Sequence, residues 1–307
     1  MKIKRHLAPV AGALLLVTGG ASIALLGGGE ATAAGTPSSA FGLELNIAGN
    51  TALDRTPSVV STDGKPVTDS LVDLPVAPLL DGGLVVASAQ NGSASAKVTG
   101  LGVGQDLLNT LGLSGATTKP LVDACKQITD ALAPVGGVTG TINDTLLKGL
   151  DDALTQIGNA TSGTGLDLSA LGALKLDKLL PTQLDGLCEV LSGKLKLVGA
   201  DSVVAECNGK TGTVTVAGLK ALGLPVEIGT DAVNKKVEIP GLLNLTINRQ
   251  TANADGTFTV DALYLNLLGQ VELTVSSATC GNVTSGEIDP SDAPSPTPVE
   301  SHVPVTG

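Results

Sequence analysis

Histidine is almost missing from this chain. Of its two copies, His6 lies near the start and His302 near the end. Between them there is no imidazole, so no Ser-His-acid or Cys-His nucleophile system can be assembled there. A histidine zinc site is excluded on the same ground, and the cysteines are too far apart for a four-thiolate zinc module. Aromatics are scarce too, with no Trp, one Tyr and two Phe. Phe41, Phe258 and Tyr264 all fall in strand-like stretches, so a groove that stacks sugars on aromatic faces is not expected. Basic residues are outnumbered, 18 Lys+Arg against 29 Asp+Glu, giving a net charge of −11 with no basic patch. Nucleic acid, which needs cationic contacts and stacking platforms, is therefore excluded as a partner. The core has to come from Leu, Val, Ile and Ala, each buried Leu or Val contributing roughly 1.5–3 kcal/mol.

What is present starts with an export signal. Lys2, Lys4 and Arg5 precede an uncharged apolar run over 7–26, and Ala31-Thr32-Ala33 supplies an A-x-A exit. Cleavage is expected after Ala33, with Ala34 as the new N-terminus and membrane contact only through the signal peptide. A retained anchor is the alternative, since about 20 apolar residues can span a bilayer; Pro9, Gly12, Gly19 and Gly20 interrupt the run and favour cleavage. Cleavage leaves 274 residues (307 less 33) and removes a net +2, so the mature chain carries −13. On an exported protein that acidic surface serves solubility. Localisation is expected to be secreted or at the cell surface, and export makes disulfide candidates of Cys125, Cys188, Cys207 and Cys280.

The periodicity changes twice along the chain. Residues 40–47 alternate as a strand, placing Phe41, Leu43, Leu45 and Ile47 on one face and Gly42, Glu44 and Asn46 on the other. The Pro-containing stretch 52–81 reads as an edge or connection. Asn91-Gly92 between two strand-like runs predicts a hairpin in which both turn residues take positive φ. From 104 to 193 the period is helical. Leu121, Cys125, Ile128 and Leu132 form one stripe, with Pro120 in the first turn after Thr118. Ile142, Leu146, Leu150, Leu154 and Ile157 form a second, ended by Gly158 and Asn159, and a third helix covers Thr182 to Leu191. Alternation returns over 194–198, 202–207, 212–216, 226–228, 236–239, 243–248, 257–267 and 270–276. The expected class is α+β: an antiparallel β-sandwich-like body interrupted by a helical insertion, then a Pro-rich tail. The boundaries are 1–33 (signal peptide), 34–103 (first part of the β body), 104–193 (helical insertion), 194–282 (second part) and 283–307 (tail, expected disordered).

Several segments carry a family likeness. Ser39-Ala40-Phe41-Gly42-Leu43 follows the signal peptide, Asn244 to Asn248 reads NLTIN, Asp255-Gly256 precedes FTVDALYLNL over 258–267, and Ser276-Ser277-Ala278-Thr279-Cys280 closes the last strand. Together these resemble the choice-of-anchor P family of exported actinobacterial proteins. The resemblance covers about half of the mature chain and leaves 104–193 outside it. It implies an exported surface or secreted protein with a β-rich body, variable means of attachment and no established enzymatic activity.

No catalytic, cofactor or metal site is expected. Asp151-Asp152 is an acidic pair on the polar face of a helix, where solvation is its expected role. There is no D-x-D-x-D-G calcium loop. Four cysteines allow three pairings; Cys125–Cys188 and Cys207–Cys280 keep each bridge within one region and contribute roughly 4 kcal/mol apiece in the chain-entropy account. Val303-Pro304-Val305-Thr306-Gly307 is a degenerate version of the L-P-x-T-G sorting motif, with Val303 in place of Leu. A soluble or non-covalently retained protein is expected rather than covalent anchoring. Three functions follow: a non-enzymatic structural or interaction protein with a cell-envelope or extracellular partner, a carrier of a small apolar ligand between the insertion and the β body, or a hydrolase using carboxylates alone.

Overall fold

A computed structural model describes residues 34–72, 80–104, 115–132, 143–161, 174, 176–228 and 232–284. In chain order the first strands are β1 (Ala34–Gly35), β2 (Ser38–Ile47), β3 (Asn50–Ser61), β4 (Val67–Leu71), β5 (Leu80–Asp81), β6 (Val85–Gln90) and β7 (Ser93–Val103). Helices α1 (Gly115–Leu132), α2 (Asp144–Thr161) and α3 (Pro181–Leu191) follow, with a 3-10 turn at Leu176–Lys178. Then come β8 (Val198–Asn208), β9 (Thr211–Ala217), β10 (Lys220–Ala221), β11 (Leu224–Pro225), β12 (Lys235–Ile239), β13 (Leu243–Ala252), β14 (Phe258–Leu267), β15 (Val271–Cys280) and β16 (Val283–Thr284).

The strands form two antiparallel sheets. One runs β12-β13-β14-β15-β2-β3; the other runs β11-β10-β8-β7-β6-β4, with β5 on β7 and β9 on β8. Each sheet takes strands from both sides of the helical stretch, so neither side closes a sandwich alone. The interior is aliphatic: Leu43, Val85, Val98, Val203, Leu263 and Val275 are fully buried. Ser276 donates its hydroxyl to the Val203 carbonyl of the opposite sheet at 2.9 Å, satisfying a polar group inside that interior. At Gly42 a Cβ would run into Val85 of the facing sheet and lie 3.0 Å from the Thr56 carbonyl, so only glycine fits between the layers.

The helical stretch leaves and re-enters the body at adjacent points. Val103 at the end of β7 lies opposite Val198 at the start of β8, and the Leu197 amide donates to the Val103 carbonyl at 2.8 Å. The helices bury one stripe each. Leu121, Cys125 and Ile128 of α1 join Leu150, Leu154 and Ile157 of α2 and Leu184, Leu187 and Cys188 of α3 in one aliphatic cluster continuous with the sheets. Exposed i,i+4 pairs Lys119–Asp123, Lys126–Asp130 and Lys148–Asp152 lie on the solvent faces. Helix α3 is seated on the turn between β10 and β11. A Cβ on Gly186 would strike the Leu222 carbonyl oxygen and come within 3.0 Å of Leu222 Cβ. Gly186→Ala is therefore expected to destabilise the protein by about 1–2 kcal/mol, although alanine is the better helix former. Thermal unfolding monitored by circular dichroism measures it.

The structure corrects several sequence expectations. Phe41 does not share a face with Leu43. Gly42 points between the sheets, and Phe41 lies on the outer side beneath Arg55, whose guanidinium sits 4.8 Å from the ring centroid. The cause is a row of irregular positions crossing the first sheet at Asn248, Ala262, Ser276 and Gly42, where the paired register skips a step. Asn248 and Ser276 there adopt φ of 55° and 54°, and the side-chain alternation reverses on passing them. In the Asn91-Gly92 turn only Gly92 takes positive φ, because Asn91 is held from both sides. Its amide donates to Gly64 and its side-chain oxygen accepts from the Val283 amide. Helix α1 starts at Gly115, so Pro120 lies in its second turn at the loss of one backbone hydrogen bond. Gly158 and Asn159 do not end α2, which runs to Thr161; Gly158 is buried beside fully buried Ile157, so packing overrides propensity there. Residues 194–197 are not a strand. The Lys194 and Leu195 amides close the end of α3 on the Glu189 carbonyl, and β8 runs unbroken from Val198. Residues 226–228 likewise lie outside any strand. Val283 and Thr284, placed in the tail by sequence, pair with Gly35 and Ala34. Ile142 and residues 285–307 lie outside the described residues.

Candidate functional site

The four cysteines form two bridges. Cys125–Cys188 joins α1 to α3 with Cα atoms 5.1 Å apart. Cys207–Cys280 joins β8 to β15, one strand from each sheet, at 5.9 Å. All four residues are buried. Each bridge stays within its own region, one pinning the helices together and the other the two layers. Ala34 begins a short ribbon in which Ala34 faces Thr284 and Gly35 faces Val283. Ala31 and Ala33 of the expected cleavage site, and Val303, Pro304, Val305, Thr306 and Gly307 of the sorting-like motif, lie outside the described residues.

Polar chemistry collects in three places. The first is the outer face of the first sheet, which holds Arg55 and Arg249, the chain's two arginines outside the signal segment. Arg249 pairs with the buried Asp261 carboxylate at 2.8 Å and stacks over the Tyr264 ring at 3.9 Å. Arg55 pairs with Glu44 at 3.3 Å. Both guanidinium groups therefore have carboxylate partners. Burial, then a hydrogen bond with Glu272, holds the Tyr264 phenol above its ordinary value of 10.0. The folded protein disfavours the phenolate, so the resulting stability is present below pH about 10 and lost as pH rises through the folded value. With one Tyr and no Trp in the chain, ultraviolet titration reads this group alone. Its midpoint is expected above 10 and should fall back to 10 in denaturant.

The second is a shallow groove of about 550 Å³ on the outer face of the second sheet. Its floor is a register row, Thr68–Ser88–Ser95–Glu206–Thr213, with the Ser88 and Ser95 hydroxyls 3.2 Å apart. The hydroxyls lie beside a single carboxylate. The third is a cleft of about 280 Å³ where the chain leaves α3 and enters the sandwich, lined by Lys194, Leu195, Lys196, Gly199, Lys220 and Gly223. Sequence reasoning missed it because Lys220 comes from β10, and only the pairing of β10 with β8 brings it beside Gly199.

Asp151 and Asp152 do not converge on a cleft. Asp152 is exposed and pairs with Lys148 at 3.1 Å on the solvent face of α2. Among the described residues no group of three His, Cys, Asp or Glu is placed to hold a metal ion. No helix among them is long and apolar enough to cross a membrane. No protein-family model, no curated protein and no solved structure matches this chain.

Proposed function

We propose that this is an exported protein of the cell surface or medium with a structural or interaction role rather than a catalytic one, in keeping with its resemblance to the choice-of-anchor P proteins. The observation that carries the reading is the pair of buried bridges, one in each region, since such bridges form and persist in oxidising compartments. The N-terminal charge pattern and A-x-A exit point the same way. The pairing of Ala34–Gly35 with Val283–Thr284 supports cleavage just before Ala34, because the mature N-terminus then has a place in the fold. The hydrolase reading has little to draw on, with its one acidic pair spread on a solvated helix face. Fractionation of cells expressing the chain with its own N-terminus tests the proposal. The protein is expected in the medium or envelope, without reactive thiols. A cytosolic pool with four reduced cysteines would overturn it.

A further inference from the structure

We propose that the lysine-lined cleft at the junction of the insertion and the sandwich binds a small organic anion, a phosphate or carboxylate head on a short apolar body. This goes beyond the export reading and does not depend on it. The full chain carries −11, yet three lysines line this opening and no carboxylate does. Lys196 has one ion pair, to Asp81 at 3.2 Å and partly exposed. Neither Lys194 nor Lys220 has an ion-pair partner among the described residues. Three ammonium groups with no carboxylate in the lining give the cleft a positive wall, which an incoming oxyanion would complement.

Between the ammonium groups Leu195 supplies an apolar wall, and the backbone of Gly199 and Gly223 completes the lining. Gly199 leaves the floor open, since a Cβ there would meet only the Leu101 carbonyl at 3.6 Å and Lys196 Cδ at 4.0 Å, while Gly223, at φ +74°, lets Leu195 pack against its backbone. The ligand therefore needs an apolar part behind its charged head. At roughly 30 Å³ per water-sized group, about 280 Å³ holds about nine such groups. That volume fits a short alkyl phosphate or carboxylate.

Nuclear magnetic resonance titration of the ¹⁵N-labelled mature chain with n-butyl phosphate, inorganic phosphate and 1-butanol tests this. Butyl phosphate is expected to shift the Gly199 and Gly223 amides and to bind about ten-fold more tightly than inorganic phosphate, through its buried alkyl group. Its affinity should fall with added salt, and 1-butanol should shift neither amide. The exposed double substitution Lys194→Gln and Lys220→Gln should weaken butyl phosphate about ten-fold without moving the thermal midpoint. Gly199→Val, which fills the floor, should abolish the shifts. Absence of binding at millimolar butyl phosphate would overturn the proposal, as would unchanged affinity in the lysine variant. Equal affinity for inorganic phosphate would overturn the ligand class. So would capture by phosphatidylglycerol vesicles without any response to butyl phosphate.

Discussion

Replacing both Cys207 and Cys280 by serine is expected to lower stability by about 4 kcal/mol and the thermal midpoint by roughly 10 °C. The bridge closes a separation of 73 residues and is the covalent tie between the two sheets. A loop of that length loses substantial chain entropy when joined, so its removal enlarges the unfolded ensemble. Both sulfur positions are buried, and the serine hydroxyls would add the cost of unpaired polar groups. The matching Cys125→Ser and Cys188→Ser pair frees a separation of 63 residues within the helices. It should loosen α1 against α3 while leaving the sandwich transition in place. Calorimetry of both double variants separates the two effects. A Cys207/Cys280 variant that unfolds within 2 °C of the parent would show that the sheets do not depend on the bridge.

Exchanging residues 104–193 for a short Gly-Ser linker is expected to leave a folded sandwich. Val103 and Val198 already face each other across an antiparallel ladder, so the linker has to make only a hairpin turn. The helical circular-dichroism signal should vanish while the β signal and the Cys207–Cys280 bridge remain. Some stability is lost, because α3 covers the turn at Leu222, a fully buried side chain. Exposing a leucine costs roughly 1.5–3 kcal/mol. Leu222→Ser in the same background should recover solubility if that patch causes association. A deletion that yields only unfolded or aggregated chain in both forms would mean that the sheets cannot hold their fold without the helices.

Much of this was legible in the sequence because it is local. The stripes of α1 and α2 follow from spacing within single helices, and Leu121, Cys125, Ile128, Leu150, Leu154 and Ile157 are all buried as that spacing requires. The change of period at residue 104 marked where the insertion starts. The first sheet was only half legible. Leu43, Leu45 and Ile47 alternate as read, but the reversal at Gly42 moves Phe41 to the other face. No single strand announces that reversal, because it is a property of four strands kinking together at Gly42, Ser276, Ala262 and Asn248. The strand expected over 194–198 failed for a related reason. Its alternation is real, but the Lys194 and Leu195 amides are already engaged by the end of α3. The lysine cleft was invisible because Lys194 and Lys196 meet Lys220 only through the sheet.

The protein is proposed to be exported, and each of its two regions is closed by its own bridge. Peptide mapping of the secreted protein without reduction, with N-terminal sequencing on the same sample, tests it most directly. The expected result is a chain beginning at Ala34 with Cys125 linked to Cys188 and Cys207 linked to Cys280. A chain still carrying residues 1–33, four free thiols, or a Cys188–Cys207 link between the regions would contradict it.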